Sequence, residues 1–216
     1  MFPISDVIPS RTRPVVTVAI IVVNVLVFLY QLTLQDPAMQ LFVGTYAVVP
    51  AYFHPATLVT SQFLHGGVLH VGGNMLYLWI FGDNVEDRLG HVRFLVFYLF
   101  AGVAAAILQI LFNPFSTVPM VGASGAIAGV MGAYFVLYPH SRVLTVVFLL
   151  FILDVVEIPA IFFLGVWFIM QLLNGVGSIG IGTMTGGTAF WAHVGGFVVG
   201  FVAGVGLRRR DRRWHD

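Results

Sequence analysis

Ser124, His65, His70, Asn74 and His193 are the residues whose types and settings could do chemistry in this chain of 216 residues. Each lies in or beside a long apolar run, where an ionisable or strongly polar side chain needs a reason to be present. Ser124 stands in Gly122-Ala123-Ser124-Gly125, and His193 in Ala192-His193-Val194-Gly195-Gly196. A serine hydroxyl and an imidazole make a nucleophile and its general base when they share a hydrogen bond. Asn74 follows His70 by four residues, so a helix puts the two on one face. The plainer readings are a helix-start serine and interhelical hydrogen bonds from His70 and Asn74.

Other chemistries find less support. Cysteine is absent, which excludes disulfides, thiolate metal sites and a cysteine nucleophile. His65, His70 and His193 have neither an HExxH spacing nor a carboxylate within the apolar runs, so no metal is expected. The glycine-rich stretch 175–187 lacks Gly-Lys-Ser/Thr in a chain without lysine, so no phosphate loop and no cofactor are expected. Asp154 and Glu157 raise the idea of a proton path, but both fit a membrane interface beside Arg142.

The elements that must position these residues follow from composition. Hydrophobic residues make up 59% and charged residues 9%, against roughly 25% charge in ordinary globular chains. With a mean hydropathy of +0.96, no water-soluble surface can be built. The reading is an all-α membrane protein with one domain over residues 1–216 and six transmembrane helices, at about 15–34, 69–85, 93–112, 124–138, 158–174 and 190–207. The first run is too long for a signal-peptide core and is read as a retained helix. Residues 36–65 suit a loop with short interfacial helices. Residues 143–156 are too short to span and read as an interfacial or packed lead-in. Residues 175–188 hold six glycines and read as a mobile loop. All ten basic residues are arginines, and six spans put every one on the same side. That asymmetry predicts that both termini are cytoplasmic.

Length places the serine. Residues 124–138 make about 22 Å of helix, short of a hydrocarbon core of roughly 30 Å. Ser124 is therefore expected below the outer surface, in a hydrated pocket where irregular backbone can survive. Gly125, Gly129 and Gly132 in one run, and Gly196, Gly200 and Gly204 in another, predict that the fourth and sixth helices approach closely.

These residues match a known pattern. The chain resembles the rhomboid intramembrane serine proteases from about Pro14 to Gly204. The resemblance rests on Phe63-Leu64-His65 with His70 and Asn74-Met75, on Gly122-Ala123-Ser124-Gly125, and on Ala192-His193-Val194-Gly195-Gly196. Glu86 and Arg88 fit the family's cytoplasmic turn. The resemblance implies that Ser124 is the nucleophile and His193 the general base. No acidic residue is placed to orient His193, so the pair would act as a dyad. Gly122, Ala123, His70 and Asn74 would support the oxyanion together with the Ser124 amide, and His65, Gly125 and Gly196 would be structural near the site. The 175–188 stretch is similar in place to the family's capping loop, and 158–174 to the helix thought to move for lateral substrate entry.

Two positions depart from the family's pattern. Ala128 stands one turn after the serine, where some members carry an aromatic residue, so Trp191 or Phe197 is expected to hold His193. The stretch Pro55-Ala56-Thr57-Leu58 lacks the Trp-Arg pair that some members have.

The implied function is a serine endopeptidase that cuts transmembrane segments of other membrane proteins. Its partners would be those substrates and the lipid bilayer, with no nucleic acid. The alternative is a catalytically inactive rhomboid-like protein that binds membrane helices. Such relatives usually lack the serine or the histidine, and this chain has both. A transporter is disfavoured by the missing six-plus-six repeat. The short ends suggest a prokaryotic plasma (inner) membrane.

Overall fold

The computed structural model describes residues 2–149, 152–178 and 189–212. Eight α-helices dominate the described residues. They are α1 (Val15–Thr33), α2 (Asp36–Tyr46), α3 (Thr57–Thr60), α4 (Val68–Leu89), α5 (His91–Phe112), α6 (Ser124–Leu137), α7 (Ala160–Ser178) and α8 (Phe190–Arg212). Among the described residues, α1, α5, α7 and residues 190–208 of α8 are long and apolar enough to cross a membrane. The chain is a membrane protein. α6 is apolar but has only 14 residues, about 21 Å of helix.

The bundle hides its polar groups. Thr17, Ile20, Asn24, Phe28 and Gln31 form the buried stripe of α1, while Val18, Val22, Leu26 and Leu29 face outward. An apolar exterior matches lipid, and the stripe can therefore carry Thr17 and Gln31, which bond to other parts of the chain, and Asn24, which bonds within α1. Asn24 donates to the Ile20 carbonyl at 2.8 Å.

The small-residue stripes do what their spacing predicts, since α6 and α8 meet backbone to backbone. A methyl group on Gly196 would overlap the Gly125 carbonyl oxygen, and one on Gly200 would overlap that of Gly129. α5 closes the other side of α6, where a methyl on Gly125 would stand 2.6 Å from the Ala105 side chain.

Several elements differ from expectation. Residues 143–156, read as an interfacial or packed lead-in, prove to contain strands. The described residues there belong to two antiparallel strands, β2 (Arg142–Leu149) and β3 (Ile152–Pro159). The first strand, β1 (Phe2–Asp6), joins them in the order β1-β2-β3, with Phe2 opposite Val146 and Asp6 opposite Val143. The all-α expectation is thus corrected to a mostly helical fold with a small sheet. Its Val, Ile and Thr content suits strands, but pairing across about 140 residues leaves no local periodic signal. The glycine-rich loop is also shorter than expected, because Gly175 and Gly177 lie inside α7. Residues 179–188 of that loop fall outside the described residues.

Glu86 ties α1 to the α4–α5 corner. Its side chain is fully buried and accepts from Val16 N–H (2.9 Å), Thr17 N–H (2.7 Å) and Thr17 Oγ1–H (2.7 Å). It caps α1 from a distance, where its charge also meets the positive end of the helix dipole. His91 Nδ1 lies 2.6 Å from its Oε1, the oxygen that also accepts from Val16. Glu86→Ala is expected to lower stability by about 3 kcal/mol, read as the unfolding transition in detergent.

Asp6 anchors β1 in a similar way. Its carboxylate meets the Tyr134 hydroxyl at 2.5 Å and the Asn84 side-chain amide at 3.1 Å, and Tyr134 also reaches Ser141 at 2.8 Å. Burial lifts the Asp6 pKa from 3.8 to about 6. Tyr134 opposes that shift and nearby Asp83 adds to it. The folded state therefore holds a proton that the unfolded chain has released. The associated stability is full below pH 3.8 and lost as pH rises through about 6. Wild type should lose about 1 kcal/mol relative to Asp6→Asn across that window, after allowance for solvent screening. Unfolding of the two proteins at pH 4 and pH 7 measures it.

Candidate active site

Ser124 is the first residue of α6. The chain enters it through Gly122, whose φ of +123° belongs to the left-handed region open to glycine. The Gly122 amide is held by the Ser61 carbonyl at 2.9 Å, which anchors the irregular segment before the helix. On α8, His193 lies in the first turn. The Gln109 side chain of α5 receives the neighbouring Ala192 N–H at 3.2 Å, satisfying one of the amides that a helix start leaves without an intrahelical partner.

The close approach of α6 and α8 brings the two side chains together. His193 Nε2 lies 2.8 Å from Ser124 Oγ, a full hydrogen bond between a hydroxyl and a ring nitrogen. Both residues are half-buried. They open onto a cavity of about 540 Å³, lined also by Ser61, His70, Asn74, Gly122 and Met120. A second, smaller opening of about 250 Å³ runs between α4 and α7, past Leu69, Gly73, Tyr77 and Trp167.

His70 and Asn74 aim at one space. A point one bond out from the Gly122 Cα lies 2.7 Å from His70 Nε2 and 3.5 Å from Asn74 Nδ2. Gly66 N–H donates to His70 Nδ1 at 3.3 Å. That assigns the ring proton to Nε2 and makes it a donor into the cavity. Asn74 is buried, with Nδ2 at 2.9 Å from His65 Nε2. One amide hydrogen is thereby spent on His65, and the second is left to point at the same space.

His65 is a support. Its backbone is clamped on both sides by Gln31 of α1, whose Oε1 accepts from His65 N–H at 3.0 Å and whose Nε2 donates to the His65 carbonyl at 3.1 Å. Its ring packs edge-on against His70, with centroids 5.1 Å apart. Of Gly125 and Gly196, the first also lines the cavity. They permit the backbone contact that sets the distance between Ser124 and His193.

The expectation for what holds His193 is corrected. Trp191 stacks on Phe112 at 3.7 Å, and Phe197 packs on Phe168 at 4.5 Å. The imidazole is instead met from α7. Gln171 Oε1 lies 2.8 Å from His193 Nδ1, and the Trp167 ring is 5.7 Å from the imidazole centroid. Sequence reasoning missed Gln171, Gln109 and Gln31. The signal was available, since a carboxamide inside an apolar run needs a hydrogen-bond partner much as a histidine does.

The Rhomboid domain family matches residues 52–210. Over 152 residues the chain is 28% identical to Rhomboid protein 1, mitochondrial, of Saccharomyces cerevisiae, covering 68% of this chain and 40% of the yeast protein. It is 33% identical over 150 residues to Rhomboid protease GluP of Bacillus subtilis, covering 69% and 25% of the two chains. With RHOMBOID-like protein 4 of Arabidopsis thaliana the identity is 32% over 157 residues, covering 69% and 33%. The chain thus spans a quarter to two-fifths of the length of these relatives. One is mitochondrial and another bacterial, so they lend no support to a prokaryotic origin. With the domain match extending over most of its length, the chain belongs to the rhomboid family.

Proposed function

We propose that this protein is an intramembrane serine endopeptidase that cleaves transmembrane segments of other membrane proteins, with Ser124 as nucleophile and His193 as general base. The observation that carries the reading is the 2.8 Å contact between Ser124 Oγ and His193 Nε2 at a cavity that His70 and Asn74 also line. Ser124 Oγ attacks the scissile carbonyl as its proton passes to His193 Nε2. The tetrahedral oxyanion sits over Gly122 and accepts from the Ser124 amide, His70 Nε2–H and Asn74 Nδ2–H. Collapse breaks the C–N bond, and the proton on His193 goes to the leaving amine. Water then repeats the sequence on the acyl-enzyme, with His193 taking its proton, and restores the Ser124 hydroxyl.

The surroundings support a membrane substrate. The chain forms one domain with six spans, α4 and the short α6 completing the four long apolar helices. Both termini are cytoplasmic. Arg11, Arg13, Arg88 and Arg142 gather at the end that carries the sheet and Glu86, where Thr12 binds Asp87 and Val7 N–H binds the Arg142 carbonyl. Ser124 is at the opposite end of α6, recessed because that helix is short. A bound substrate helix must unwind to expose its backbone there, which favours small, helix-destabilising residues near the cut. The alternative of an inactive helix-binding relative is disfavoured by the intact Ser–His contact.

Cleavage of a reporter transmembrane helix by purified protein in vesicles tests the proposal, with covalent labelling of Ser124 by a fluorophosphonate as companion. Equal cleavage by wild type and by Ser124→Ala ends it.

A further inference from the structure

An imidazole can serve as base at Nε2 only while its proton is on Nδ1, so the group facing Nδ1 decides whether the ring is ready. In this protein that group is the Gln171 side-chain oxygen at 2.8 Å. A carboxamide oxygen accepts and cannot donate. It therefore keeps the proton on Nδ1 and leaves the Nε2 lone pair to the Ser124 hydroxyl, 2.8 Å away on the other side of the ring.

We propose that Gln171 is a positioning residue for catalysis, holding His193 in the Nδ1–H tautomer and in the plane that faces Ser124. The inference rests on the protease reading and deepens it, since it replaces a free-standing dyad by a chain of three side chains from α6, α8 and α7. It also gives a physical reason for the missing acid. In a site framed by apolar helices a carboxylate would need a desolvated negative charge to be stabilised, whereas an amide supplies the same acceptor without charge.

Trp167 lies one helical turn before Gln171 on α7, and its ring forms the wall beside the imidazole. Both contacts to His193 thus come from one helix. That helix buries few of its own residues, Ala160, Phe163, Leu164 and Gly175. Gly175 gives it a seat at its end, since a methyl there would meet Trp191 at 3.2 Å. Readiness of the base is therefore conditional on α7 being seated against α8.

The test combines ¹⁵N NMR of histidine-labelled protein with kinetics on the full chain. His193→Gln identifies the His193 signals by difference. Wild type should show a protonated Nδ1 and an unprotonated Nε2 at His193, and Gln171→Leu should move the proton toward Nε2. The same variant should lose about 10- to 100-fold in kcat and in fluorophosphonate labelling, with KM within about 2-fold. A wild-type His193 protonated on Nε2, or a Gln171→Leu variant with unchanged tautomer and kcat, overturns the proposal. The tautomer is read without turnover, so a wild type inert toward both reporter and fluorophosphonate would end the protease reading and leave the role of Gln171 separately decided.

Discussion

Alanine at Ser124 or at His193 is expected to lower kcat on a reporter transmembrane helix by about 10⁴-fold or more, with the double variant no worse than either single one. Without the hydroxyl no acyl-enzyme can form. Without the imidazole the hydroxyl keeps its proton, and the leaving amine receives none. Because each group is useless without the other, the two losses do not add. Stability should change little for Ser124→Ala, since that side chain is only half-buried and α6 and α8 already meet backbone to backbone. Single-turnover cleavage in vesicles measures the chemical step, and a fluorophosphonate probe should label wild type and neither variant. Full activity in either single variant would remove the hydroxyl–imidazole pair from the mechanism.

Asn74→Ala is expected to cost about 10²- to 10³-fold in kcat with KM nearly unchanged, the signature of a donor used only when negative charge develops. Asn74 Nδ2 is fixed by His65 at 2.9 Å, so its second hydrogen is aimed before substrate arrives. His70→Phe should fall in the same range, because the ring proton that Gly66 assigns to Nε2 is lost. The two donors face the same space over Gly122, and the double variant therefore separates shared from independent roles. A rise in KM alone would instead mark Asn74 as a binding residue.

Much of the bundle can be read along the chain because lipid is a demanding solvent. An apolar run near 20 residues has to be helical to satisfy its own backbone, so α1, α5 and α8 begin within about two residues of where the apolar runs do. The stripes Gly125-Gly129-Gly132 and Gly196-Gly200-Gly204 point to a backbone contact for an equally local reason, namely that nothing else lets two helices approach so closely. Ser124, His193, His70 and Asn74 stand out as polar groups in apolar surroundings and in recognisable short motifs.

The sheet and the supporting amides are different. β1 meets β2 across about 140 residues, and a strand of five residues carries no signal of its partner. Glu86 looks like part of a solvated turn until α1 is seen to rest its first amides on it. Gln171 shows why the division falls where it does. Its type and its place in an apolar run are plain in the chain, and they say that it must bond to something. Which atom it meets depends on the rotation of α7 about its own axis and on how deeply that helix seats against α8. Both are set by side-chain packing between helices that have no fixed relation until the bundle assembles.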